Sequence, residues 1–148
     1  MGDRILVPYD GSEPATAALR FALERFPDED IVVLYVVEPF AAHTEAGVEG
    51  HHGEWRETAQ EHAEERFEEV EDVLDETDVA VETDWDYGRP AHVILQYVES
   101  EDIDHVVMGS HGRTGIGRVF LGSVAETTVR RSPVPVTVVR DRETTDSA

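Results

Sequence analysis

The run Ile31–Val37, I-V-V-L-Y-V-V, is apolar throughout and largely β-branched. A strand with one wet face alternates polar and apolar residues, whereas a continuous run of this kind needs cover on both faces. That requirement points to a sheet sandwiched between helical layers. Arg4–Tyr9, Ile103–Met108 and Val134–Arg140 read as further apolar strands, and Val79–Trp85 alternates like a strand.

Helical patterns separate these strands. Ser12 is a suitable N-cap, followed by Glu13 and Pro14 in a first turn. Ala15, Ala18, Leu19, Ala22, Leu23 and Phe26 then recur at helical spacing until Pro27. Glu54–Glu76 reads as a long amphipathic helix with Ala59, Ala63, Phe67, Val70 and Leu74 on one face and acids on the other. Tyr87-Gly88-Arg89-Pro90 turns into a helix carrying Ala91, Ile94, Leu95 and Val98, and Gly122–Arg131 reads as the last helix. Residues 38–53 have no clean period and read as a long loop. The order β-α-β-loop-α-β-α-β-α-β predicts an α/β fold: a five-stranded parallel sheet with helices on both faces. No internal repeat is visible, so residues 1–141 read as one domain and residues 142–148 as a frayed tail.

Ligands of such sheets bind beyond the carboxyl ends of the strands, where strand order reverses. Three segments fall at predicted strand ends: Pro8-Tyr9-Asp10, Val36-Val37 and Met108–Gly112. The last opens a stretch from Met108 to Val124 that holds Gly109, Gly112, Gly115, Gly117 and Gly122. A glycine-rich turn entering a helix aims several N–H groups at one point, which suits a phosphate.

Charge narrows the partners. The chain of 148 residues has 33 acids and 12 basic residues, net −21, and every basic residue is Arg. Residues 109–142 carry six arginines and two acids, a local +4 that leaves −25 elsewhere. Duplex nucleic acid is repelled by that remainder. Like charge on this scale is screened only in concentrated salt, where the Debye length shrinks to ~3 Å at ~1 M. A salt-rich, halophile-like setting is therefore expected. No apolar run nears the ~18 residues of a membrane span, and no secretory signal is seen, so a cytoplasmic location without membrane contact is the expectation. Without cysteine, thiolate zinc sites and thiol catalysis are excluded.

Common phosphate motifs do not match. A Walker A loop needs a lysine, and Gly115-Ile116-Gly117 is followed three residues later by Phe120 where a dinucleotide fingerprint needs glycine. What the chain does contain is Gly109-x-x-Gly112, nine residues, then Gly122-Ser123. It also opens with I-L-V-P-Y-D-G-S-E at Ile5–Glu13 and closes with G-S-V-A-E at Gly122–Glu126 and S-P-V-P-V-T-V-V-R at Ser132–Arg140. With these features it resembles the universal stress protein family over nearly its whole length, in the branch that binds ATP.

The resemblance implies a Rossmann-like fold of the adenine nucleotide alpha hydrolase type. It implies that Asp10 accepts hydrogen bonds from ribose hydroxyls and that Pro8, Tyr9 and the Val36 backbone line the adenine and sugar pocket. Met108, Gly109, His111 and Gly112 would form the floor, and Gly122, Ser123 and Val124 would meet the phosphates. The implied ligand is ATP or AMP, with Mg²⁺ or Mn²⁺ carried through the phosphates and no dedicated metal cage. The family commonly dimerises, and the last strand offers an apolar edge for a homodimer. The implied function is a nucleotide-dependent stress-response regulator; a slow ATP hydrolase and a nucleotide-free interaction protein are the alternatives.

Plainer readings stand beside these. Asp10 before Gly11 is equally an Asx-turn residue that starts the first helix. Tight strand–helix packing is the lesser reading of Gly109, Gly112 and Gly122, since their spacing is fixed. His111 lacks a nucleophile–base–orienter set and is assigned no catalysis. Arg113 and Arg118 read either as phosphate contacts or as solvated charges, and His43, His51 and His52 as loop residues without metal-site spacing.

Overall fold

A computed structural model describes residues 2–38, 52–111 and 121–140, with no side-chain description at 52–55. Nine elements follow the predicted order: β1 (Arg4–Pro8), α1 (Glu13–Arg25), β2 (Asp30–Val37), α2 (His52–Leu74), β3 (Val81–Tyr87), α3 (Pro90–Ser100), β4 (His105–Gly109), α4 (Ser123–Arg131) and β5 (Val136–Val139). The strands form one parallel sheet in the order β3-β2-β1-β4-β5. The fold is the expected Rossmann-like α/β sheet. Strand order reverses between β1 and β4, which opens the ligand crevice at their carboxyl ends.

The continuous apolar runs are explained by the two layers they bury. Ile5 and Val7 of β1, Ile31 and Val33 of β2 and Val107 of β4 face α1 and α2. Their neighbours Leu6, Val32, Leu34, Val106 and Met108 face α3 and α4. Alternation thus persists, but each face meets a helix layer instead of water. Each fully buried Leu, Ile or Val adds about 1.5–3 kcal/mol of transfer free energy.

α1 starts where the sequence places it. Gly11 turns at φ 85, and Ser12 accepts the Ala15 N–H on its hydroxyl at 3.2 Å with Pro14 in the first turn. In α2 the expected Ala59, Ala63 and Val70 are buried, joined by Val73.

Two elements shift. β3 runs two residues later than the alternation suggested, pairing Ile31 with Val81 through Val37 with Tyr87. It is an edge strand with only Val81 and Trp85 half-buried. Its weak apolar signal therefore could not set its register, and its acids suit an edge that must not pair further. In α3 the buried stripe is Val93, Ile94, Tyr97 and Val98, while Ala91 and Leu95 are only half-buried. The stripe turns because the Tyr97 ring packs inward with its hydroxyl donating to Asp84 Oδ2 at 2.9 Å.

Burial first, and then the bond to the Asp84 carboxylate, push the Tyr97 phenol well above its ordinary pKa. Burial likewise raises Tyr9, reinforced by Glu69 and opposed by Thr16. A phenol raised in the folded state adds stability below its unfolded pKa near ~10, and that contribution fades as pH climbs above it. The chain has no lysine, so no ammonium side chain titrates beside these two phenols at alkaline pH. Tyr97→Phe should cost about 1 kcal/mol at neutral pH and flatten the loss of stability above pH ~10. Urea denaturation between pH 8 and 12 (roughly) measures both; an unchanged alkaline slope would contradict the assignment.

At the opposite end of the sheet Arg4 ties three strands and a helix end. Its Nη1 lies 2.6 Å from Asp30 and 3.6 Å from Glu82, and its Nε donates to the Glu101 carbonyl at 2.9 Å. Burial works most strongly against the charge, but Asp30 and Glu82 with Tyr97 together outweigh it and the guanidinium pKa is raised. This cluster is structural and lies away from the crevice.

Candidate functional site

A cavity of about 730 Å³ opens at the carboxyl ends of β1, β2 and β4. Its size falls in the range that holds a small organic ligand. Ten of the eleven residues singled out from the sequence line it: Pro8, Tyr9, Asp10, Val36, Met108, Gly109, His111, Gly122, Ser123 and Val124. The eleventh, Gly112, lies outside the described residues, as do Arg113, Arg118, His43 and His51.

The β1 side of the cavity is hydrogen-bonded to its neighbours. Tyr9 donates its backbone N–H to Leu34 O at 2.9 Å and its hydroxyl to Glu69 Oε1 at 3.0 Å, and it is only 4% exposed. The ring forms wall, and its hydroxyl is turned to α2. Asp10 Oδ1 accepts the Ser12 N–H at 3.0 Å, so the Asx-turn role is real. The same residue lines the cavity, so the turn also fixes where its carboxylate stands.

The β4 side leads to the start of α4. Ser110 N donates to Val139 O at 2.9 Å, and Gly122 N donates to Ser110 O at 2.7 Å. These bonds tie Ser110 to the end of β5 and Gly122 to Ser110. Gly122 is the N-cap of α4, with φ −69 and ψ 166, and as glycine it has no side chain of its own to cap the helix. The first-turn residues Ser123, Val124 and Ala125 line the cavity. A helix start of this kind offers N–H donors and a positive dipole end to an anion.

The glycines at both ends serve close packing. A Cβ on Gly109 would stand 2.7 Å from the Pro14 carbonyl carbon and 2.9 Å from Ala15 N. Its need for glycine is thus the seating of α1 on the end of β4, a nearer reason than approach to a sugar. A Cβ on Gly122 would stand 3.0 Å from His111 Cα and 3.1 Å from its Cβ. His111 Nδ1 lies 3.2 Å from Ser110 Oγ.

One wall was missed by sequence reasoning. His62, Glu65 and Arg66 of α2 line the cavity, with Pro90 and Ile94 from α3. Arg66 is held 3.3 Å from Glu69 and 3.7 Å from Glu65. The helix had been read as an apolar face and a solvated acidic face. The signal was Arg66 itself, a cation set among Glu64, Glu65, Glu68 and Glu69. Among the described residues no group of three or more His, Asp or Glu could hold a metal ion, and no helix is long and apolar enough to cross a membrane.

Comparison with known proteins bears on this geometry. A family model described as the universal stress protein family matches residues 1–140. Universal stress protein MJ0531 of Methanocaldococcus jannaschii is 32% identical over 144 residues, covering 93% of this chain and 81% of that protein. The solved structure of MJ0577, from the same organism, superposes with a TM-score of 0.74 at 30% identity, covering 95% of this chain and 96% of that one. A universal stress protein family protein of Arabidopsis thaliana, solved with AMP bound, shares the fold at a TM-score of 0.63 and 19% identity, covering 93% and 91%.

Proposed function

The chain belongs to the universal stress protein family, and from that premise we propose that it binds ATP or AMP in this cavity and regulates a stress response according to nucleotide state. The observation that carries the reading is the pairing of two unlike features in one cavity. A helix start with glycine at its N-cap faces it at α4, and the Asp10 carboxylate lies on its β1 side. Phosphates suit the first and ribose hydroxyls the second. The apolar surface between them, with Val36 and Met108, suits an adenine ring.

On this reading Ser123 and Val124 donate to phosphate, Asp10 orients the ribose, and Met108, Gly109, His111 and Gly112 underlie the nucleotide. Mg²⁺ or Mn²⁺ arrives with the phosphates. Binding shifts the population of the cavity's flanking segments by differential contact, and regulation follows from that shift. The protein pairs with a second copy through β5, whose Val136, Val138 and Val139 are half-buried at the sheet edge.

Gly122→Val tests the phosphate end. Its side chain enters a space where a Cβ alone already presses on His111. Calorimetric titration should show ATP affinity reduced by about tenfold or more, since overpacking of roughly 1–3 kcal/mol is placed at the phosphate subsite. Unchanged affinity would remove the α4 start from the site.

A further inference from the structure

We propose that ionic strength regulates this cavity with an inverted sign: occupancy by phosphate-bearing nucleotides rises as salt rises. The inference rests on the nucleotide reading above and adds a control to it. Among the described residues, the cavity walls carry three carboxylates, Asp10, Glu38 and Glu65, against one guanidinium, Arg66. Arg66 is already matched by Glu65 and Glu69. Among the described residues, the anionic ligand therefore meets charged wall groups mainly of its own sign.

The rest of the molecule reinforces this. The chain carries −21, and Glu57, Glu61, Glu64, Glu68, Glu71 and Asp72 all stand exposed on α2. Near ~0.1 M salt the Debye length is about 10 Å, so these charges act on phosphates across the cavity. Near ~1 M it is about 3 Å, and only groups in contact still count. What remains in concentrated salt is the attraction of the α4 helix start, which works through hydrogen bonds at close range. Arg130 and Arg131 do not cancel the field at the site. They lie in the last turn of α4, about 10 Å along the axis from its start. The six arginines of residues 109–142, of which Arg113 and Arg118 lie outside the described residues, leave −25 on the remainder. Ordinary cationic phosphate sites lose affinity as salt rises; this one gains it, and the gain grows with ligand charge, from adenosine through AMP to ATP.

The test is calorimetric titration of the whole chain with ATP, AMP and adenosine in a KCl series. The series starts at the lowest concentration where circular dichroism shows the native fold. ATP affinity should rise by about tenfold between ~0.1 M and ~1 M salt, AMP by less, and adenosine by no more than about twofold. The triple variant Glu61→Gln, Glu64→Gln, Glu68→Gln changes exposed α2 residues outside the cavity lining. It should narrow the gap between adenosine and ATP affinity at the lowest salt and leave adenosine alone unchanged. ATP affinity that falls or stays level with salt overturns the inference while the nucleotide reading stands. No binding of any of the three ligands at any salt overturns both.

Discussion

Asp10→Asn should weaken the binding of adenosine, AMP and ATP by about ten- to a hundredfold while leaving the fold intact. The substitution separates the two roles of this residue. Asn keeps an oxygen that can accept the Ser12 N–H, so the turn and the start of α1 survive. It loses the carboxylate proposed to accept from ribose hydroxyls. A hydrogen bond to a charged acceptor is worth roughly 1.5–3 kcal/mol, which corresponds to about one to two decades of affinity. Adenosine is the cleanest probe, because removal of a wall charge also relaxes repulsion toward phosphates. Titration calorimetry reads the loss, and a melting curve checks that the variant is folded. Full affinity in a folded variant would reduce Asp10 to a turn residue.

The second large effect falls on stability. Gly109→Ala should destabilise the chain by about 2–4 kcal/mol, from a cost of overpacking that rigid surroundings push to its upper range. The added carbon meets backbone atoms of Pro14 and Ala15 at 2.7–2.9 Å, and neither can swing aside as a side chain would. α1 must lift from β4, and the cavity wall at Ala15 lifts with it. Gly2 provides the contrast. A Cβ there is closest to Glu29 Oε1, the far end of a flexible side chain, so Gly2→Ala should change stability by under ~0.5 kcal/mol. Urea denaturation of both variants measures the difference, and equal stabilities would contradict the packing assignment.

These cases also mark how far the sequence alone can be read. β1, β2 and β4 were visible because strands covered on both faces must be apolar throughout, and little else has that composition. α1 was visible through Ser12 and Pro14, whose preferences are local. β3 slipped by two residues because an edge strand carries little burial to set its register. The inward face of α3 was misjudged at Tyr97, whose placement depends on Asp84, thirteen residues away on another element.

The candidate site was legible as a set of strand ends and one helix start, since fold rules bring such ends together. The α2 wall was not. Which side of a long helix meets a cavity depends on its packing against β1 and β2, and a row of acids conceals that choice. The reason for Gly109 was equally hidden, because its neighbour in space, Pro14, lies far away in the chain. A glycine-rich stretch thus announced a close approach without saying to what.

The cavity's ligand is tested most directly by mass spectrometry of the small molecules released from the protein after gentle purification in molar salt. An adenine nucleotide in near-stoichiometric amount is the predicted result. A folded protein that releases none, and that stays empty after incubation with ATP and with AMP at the same salt, would contradict the nucleotide reading.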